Sequence, residues 1–115
     1  MNDAFAGSYY EQNIFLIILA TISNYLQKYD KTKSKINKSK HNISFDEAKE
    51  LWEDPYSFEI PSTQSEDEDR FLVLGQINSK NYTAIITYRT PNIRIISVRR
   101  SREKEIKLYE SIRNR

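Results

Sequence analysis

Three arginines fall within RIISVRR, Arg94–Arg100, and the chain passes directly into the charged stretch SREKEIKLYE. A guanidinium is planar, permanently cationic and forked with N–H donors, so a cluster of them suits a phosphate. A solvated strand end has the same composition, and Arg99-Arg100 alone does not separate the two. In an extended strand Arg94, Ile96, Val98 and Arg100 share one face, and Ile93, Ile95, Ser97 and Arg99 the other. The arginines then serve one cleft only if the chain bends where a helix begins, near Ser101. Such a junction would set guanidinium groups beside the free amides of a helix N-terminus, and both favour phosphate.

A second basic cluster lies in KTKSKINKSKHN, with Lys33, Lys38, Lys40 and the single histidine, His41. A lysine-rich helix is ordinarily a solvated face, and a lone histidine more often serves structure than catalysis. Arg70 opens an apolar run and either faces a cleft or pairs with the acidic residues before it. Other chemistry is limited by composition. There is no cysteine, hence no disulfide or thiolate metal site, and one histidine rules out multi-histidine metal motifs. SEDED, Ser65–Asp69, has acids but lacks the glycine turn and closing glutamate of a calcium loop. With two glycines and no G-x-x-x-x-G-K or G-x-S-x-G, neither a phosphate-cradling loop nor a nucleophile elbow is present. No metal and no cofactor is expected.

The elements that must carry these residues follow from charge and periodicity. A chain of 115 residues is one domain by length. Its net charge of +2 conceals segments of −2 (1–27), +5 (28–45), −8 (46–70) and +7 (71–115). Such asymmetry suits a polyanion contact at the basic parts. Ile14–Ile22 is apolar but too short to span a bilayer, and its flanks are not those of a signal peptide. It reads as an added helix or strand on the domain, and no membrane contact is expected. Tyr25–Asp30 reads as a short strand and Lys31–Asn42 as a helix. Ser44 with Glu47 forms a capping box for a second helix whose apolar side is Phe45, Ala48, Leu51 and Trp52. Asp54-Pro55 stops that helix. Strands follow at Tyr56–Ile60, Arg70–Gln76, Tyr82–Tyr88 and Ile93–Arg99, with turns at Asn78-Ser79-Lys80 and Thr90-Pro91-Asn92. Ser101 reads as the N-cap of a last helix with Ile106, Tyr109 and Ile112 inward. The order predicts an α+β domain, an antiparallel sheet with two helices before it and one after it.

Taken in order, these blocks resemble the BrnT-type toxins of the RelE-like group. Asp30, Lys33, Asn37, Lys40, His41 and Phe45 match the family's opening. Asp54-Pro55 follows, then Glu68, Arg70 and Gly75, then Arg94, Ser97, Arg99, Arg100, Glu105 and Tyr109. Asn42 stands where the family has glycine, Val98 and Ser101 where it has alanine. Asparagine tolerates the left-handed conformation of a helix end, which keeps that turn. Residues 1–24 form an extension that such proteins generally lack, leaving 25–115 as the toxin-like domain. The resemblance implies a RelE-like fold and a cytoplasmic, metal-independent ribonuclease that inhibits translation. It also implies neutralisation by a cognate BrnA-type antitoxin and binding of operator DNA by the toxin–antitoxin complex. In that setting Arg99 and Arg100 would stabilise charge on the phosphorane, Arg94, Arg70 and Lys33 would hold flanking phosphates, and Lys40 or His41 would transfer protons. A nucleic-acid-binding module without catalysis, or an inactive relic that only binds an antitoxin, are the alternatives.

Overall fold

A computed structural model describes residues 29–62, 69–89 and 92–115. The apolar segment Ile14–Ile22, most of the expected strand Tyr25–Asp30, most of SEDED and the Thr90-Pro91 part of a turn lie outside the described residues. The described chain holds α1 (Lys31–His41), α2 (Phe45–Ala48) running into a 3-10 turn (Lys49–Glu53), β1 (Phe58–Ser62), β2 (Arg70–Ile77), β3 (Lys80–Arg89), β4 (Asn92–Arg100) and α3 (Glu103–Arg113). This is the expected α+β arrangement. The four strands are antiparallel throughout and lie in sequence order.

Local chemistry sets each boundary. Asp30 belongs to a helix start rather than a strand end: its carboxylate accepts the Thr32 and Lys33 amides at 2.9 and 3.1 Å. Those two N–H groups would otherwise have no partner, which is why an aspartate at this place starts a helix. At the other end Asn42 takes the left-handed conformation at φ 59° and its amide returns to the Lys38 carbonyl. The Ser44–Glu47 capping box is present in both directions, at 3.0 and 3.1 Å. Asn78 and Ser79 both have positive φ and join β2 to β3 in a two-residue turn of the type whose twist matches that of a hairpin.

The core lies between α1–α2 and one face of the sheet. Phe45, Ala48 and Leu51 meet Val73, Ala84, Ile86, Ile95 and Val98, all at most 4 % exposed. Each large apolar side chain so enclosed contributes roughly 1.5–3 kcal/mol. Gly75 lies beneath the 3-10 turn, where a Cβ would stand 3.1 Å from Leu51 Cδ2 and 3.2 Å from Ser57 Cβ. The opposite face is covered at one end by α3, which touches it through Glu105 on Thr83 and Arg113 on Gln76. Asp54 ties the layers together, because its Oδ2 accepts both the Gln76 amide at 2.8 Å and the Tyr109 hydroxyl at 2.6 Å.

Strict alternation in the last strand does not hold. Ile85 pairs with Ser97 and Ile86 with Ile95, so Ile96 is an extra, bulged residue. Ile95 and Val98 therefore both enter the core, and Arg100 shares their face. Arg94, Ser97 and Arg99 come together on the other. The bulge puts Arg94 and Arg99 on one face without the expected bend at the helix start, but of the three arginines of this stretch only Arg99 lines a concavity. The helix start is also corrected. Arg102, not Ser101, is the N-cap residue, its amide held by Glu105 at 2.7 Å. Ser101 hydrogen-bonds Thr83 through its hydroxyl instead, at 2.8 Å.

Candidate functional site

Two concavities meet on the face of the sheet that α3 leaves open. The larger, about 340 Å³, has Leu72, Ile85 and Ile96 as its apolar part and Arg70, Arg99, Arg102 and Glu105 as its charged part. The smaller, about 230 Å³, lies between α1 and the edge of β4 and takes Lys33, Asn37, Lys40 and His41 from the helix. Ile96 and Ser97 line both, so the bulged stretch of β4 lies between two adjoining concavities, together termed the groove.

The α1 side is positioned by a single buried amide. Lys33, Asn37, Lys40 and His41 recur at helical spacing and so occupy one face. Asn37 is 6 % exposed and lies against the edge of β4. Its Nδ2 donates to the Val98 carbonyl at 2.8 Å and its Oδ1 accepts the Val98 amide at 3.1 Å, as a neighbouring strand's peptide would. The same Nδ2 also donates to the Ile43 carbonyl at 2.8 Å. One carboxamide thus closes the edge of the sheet and fixes where the three basic side chains stand relative to Ser97.

On the sheet side, Arg99 is held by Glu105 through two parallel bonds of 2.7 and 2.9 Å, with both side chains largely enclosed. Burial by itself would raise the Glu105 carboxyl. The Arg99 hydrogen bonds, the Arg102 amide, the Arg99 charge and the Thr83 hydroxyl outweigh it and hold the group at about 2. Arg70 has no ion pair among the described residues, and its Nε–H is shut off from solvent without an acceptor. Arg94 and Arg70 flank Thr87 on the same face, one strand to either side. The Arg94 charge also helps to lower the Asp30 carboxyl, after the Lys33 amide bond that is the main cause. Arg100 is not brought into the groove. It lies over the Tyr82 ring at 5.5 Å and donates from Nε to the Asn81 carbonyl.

The groove thus carries the cations Lys33, Lys40, Arg70, Arg99 and Arg102 against one carboxylate, already paired with Arg99. Cations strung beside an apolar floor suit an unstacked, phosphate-linked chain better than a compact anion. Residues 29–105 match the family described as ribonuclease toxin, BrnT, of type II toxin-antitoxin system. The chain belongs to the BrnT family. No curated protein matches it.

Membership implies an RNA target and an antitoxin partner for this toxin. Among the described residues no helix is long and apolar enough to cross a membrane. Sequence reasoning missed Arg102, whose place two residues after Arg100 gave no sign that it would turn toward Arg70. It also passed over Asn37 and Glu105 as carriers of geometry, although both matched the family's pattern. A buried asparagine is silent in sequence because the backbone groups that set it against the sheet, those of Val98, lie 61 residues away.

Proposed function

We propose that this BrnT toxin is an RNA-cleaving endonuclease of RelE-like fold that works without a metal and inhibits translation, and that a cognate BrnA-type antitoxin neutralises it. The observation that carries this reading is the pair of adjoining concavities, one lined by His41 and Lys40 and the other by Arg99, Arg70 and Arg102, with Ile96 and Ser97 common to both. RNA brings its own nucleophile. A base on the α1 wall removes the 2′-hydroxyl proton, O2′ bonds to phosphorus, and the P–O5′ bond breaks. The leaving oxygen takes a proton, giving a 2′,3′-cyclic phosphate and a 5′-hydroxyl end.

His41 and Lys40 are the proton carriers in this scheme, and Arg99, oriented by Glu105, faces the charge that builds on the phosphorane. Lys33 and Arg94, toward the start of α1, and Arg70 hold flanking phosphates. Arg100, on the far face over Tyr82, has no part in the groove. An acidic antitoxin segment laid over these cations would block them, and the complex would reach operator DNA mainly through the antitoxin.

The test is cleavage of a generic single-stranded RNA in the presence of chelator. Cleavage is expected, with cyclic-phosphate ends. His41→Asn should slow it by about 10²–10⁴-fold if that ring transfers a proton. Arg100→Ala should leave it within about twofold, as expected of a surface substitution away from the chemistry. RNA bound by the intact chain but never cut, on or off the ribosome, would return the groove to a binding module without catalysis.

A further inference from the structure

The two halves of the groove differ in the chemistry they are capable of. The α1 half offers an imidazole and an amine, the side-chain types that carry protons in general acid–base catalysis. The sheet half offers three guanidinium groups, which do not release a proton in proteins, and Glu105. That carboxylate is surrounded by four donor contacts, from Arg99, Arg102 and Thr83. Held at about 2, it neither takes nor gives a proton at neutral pH. The larger concavity is therefore built to hold an anion and lacks any group to process one. Arg70 and Arg102 line it without an ion pair among the described residues, so both guanidinium groups are available to an anion.

Resting on the ribonuclease reading, we propose that the concavity of Arg70, Arg99 and Arg102 is a non-cleaving anchor for the phosphate next to the scissile one, with the nucleoside between them lying on Leu72, Ile85 and Ile96. Ile96 and Ser97, common to both halves, are where the two phosphates are separated. Productive substrate is then an RNA segment with at least two phosphodiesters, one in each half. Arg99 lines the anchor concavity from the Ser97 end, from which it serves the reacting phosphate; Arg70 and Arg102 touch only the anchored one.

The intact chain provides the first test. A diribonucleotide, with one phosphodiester, should be cut with kcat/KM at least about tenfold below that of a trinucleotide, the worth of one charge-assisted contact. Equal rates would overturn the anchor. Arg70→Met and Arg102→Met, made separately, should each raise KM for a pentanucleotide about tenfold with kcat within about twofold. Each should also reduce the slope of log(kcat/KM) against log salt by roughly 0.7, the value for one phosphate contact on a single strand. A variant that only disturbs the fold would not change that slope. Lowered kcat at unchanged KM in both would overturn the proposal, because the arginines would then be acting on the reacting phosphate. If no RNA is cut at all, the ribonuclease reading fails, and the anchor is judged alone by binding of an all-deoxy trinucleotide. Weaker binding in Arg70→Met supports it, and unchanged binding overturns it.

Discussion

Four donor groups converge on Glu105: the two terminal nitrogens of Arg99, the Arg102 amide and the Thr83 hydroxyl. One side chain therefore starts α3, holds the last strand to it and aims an arginine. Its carboxyl is lowered from 4.5 to about 2, so the stabilisation it gives is complete above pH 4.5 and is lost as pH falls toward 2. Denaturant titrations at a series of pH values should show that loss, and Glu105→Gln should flatten it while costing about 1–3 kcal/mol at neutral pH. Asn37 is the other residue on which geometry depends. Asn37→Asp exchanges two buried donor contacts for carboxylate oxygens facing the carbonyls of Val98 and Ile43. We expect a loss of about 3 kcal/mol by urea denaturation, since a buried charge without a partner is the costlier replacement. Neither role was visible in the linear chain. A carboxylate and an amide declare their partners only when the backbone is folded beside them.

At the level of elements, legibility depended on whether the governing interaction was local. The capping box at Ser44, the left-handed Asn42, the stop at Asp54-Pro55 and the Asn78-Ser79 turn are decided within about four residues of chain, and the sequence showed all of them. The bulge at Ile96 was not legible, because it is set by how Ile95 and Val98 must both reach the core from a strand whose partner is straight. The N-cap was misplaced by one residue for the same reason: Thr83, on another strand, claims the Ser101 hydroxyl. The site inherited these errors. Arg94 and Arg99 were set on opposite faces on paper and share one in the fold, while Arg99 and Arg100 were joined on paper and point apart. Two substitutions test the local account. Ser79 carries a side chain at φ 65°, and Ser79→Gly should raise stability by about 0.5–1 kcal/mol by removing that strain. Gly75→Ala should lower stability by about 1–3 kcal/mol, because Leu51 and Ser57 leave its Cβ too little room.

Across the whole molecule, charge is sorted by face as well as by segment. The groove holds Lys33, Lys40, Arg70 and Arg102 without ion pairs among the described residues, while Glu50, Glu53 and Asp54 gather around the β2–β3 turn. RNA binding through four such cations should weaken roughly 50-fold between 50 and 200 mM salt, a slope that filter binding would read directly. The sheet's two edges are closed by different means. Asn37 covers β4, and on β1 Pro61 removes one amide from a strand that is otherwise open to pairing. The groove has a further property that appears when the molecule is considered as something made in time. Its walls come from residues 33–41 and from residues 70–105, and the amide that aligns them spans 61 positions. A chain emerging from the ribosome exposes its lysines early, as an ordinary basic helix with nothing opposite. The arginine wall is assembled only when β4 has paired, and Arg99 is aimed only when Glu105 has followed. The proposed site is thus incomplete for most of the chain's own synthesis, until residue 105 has emerged.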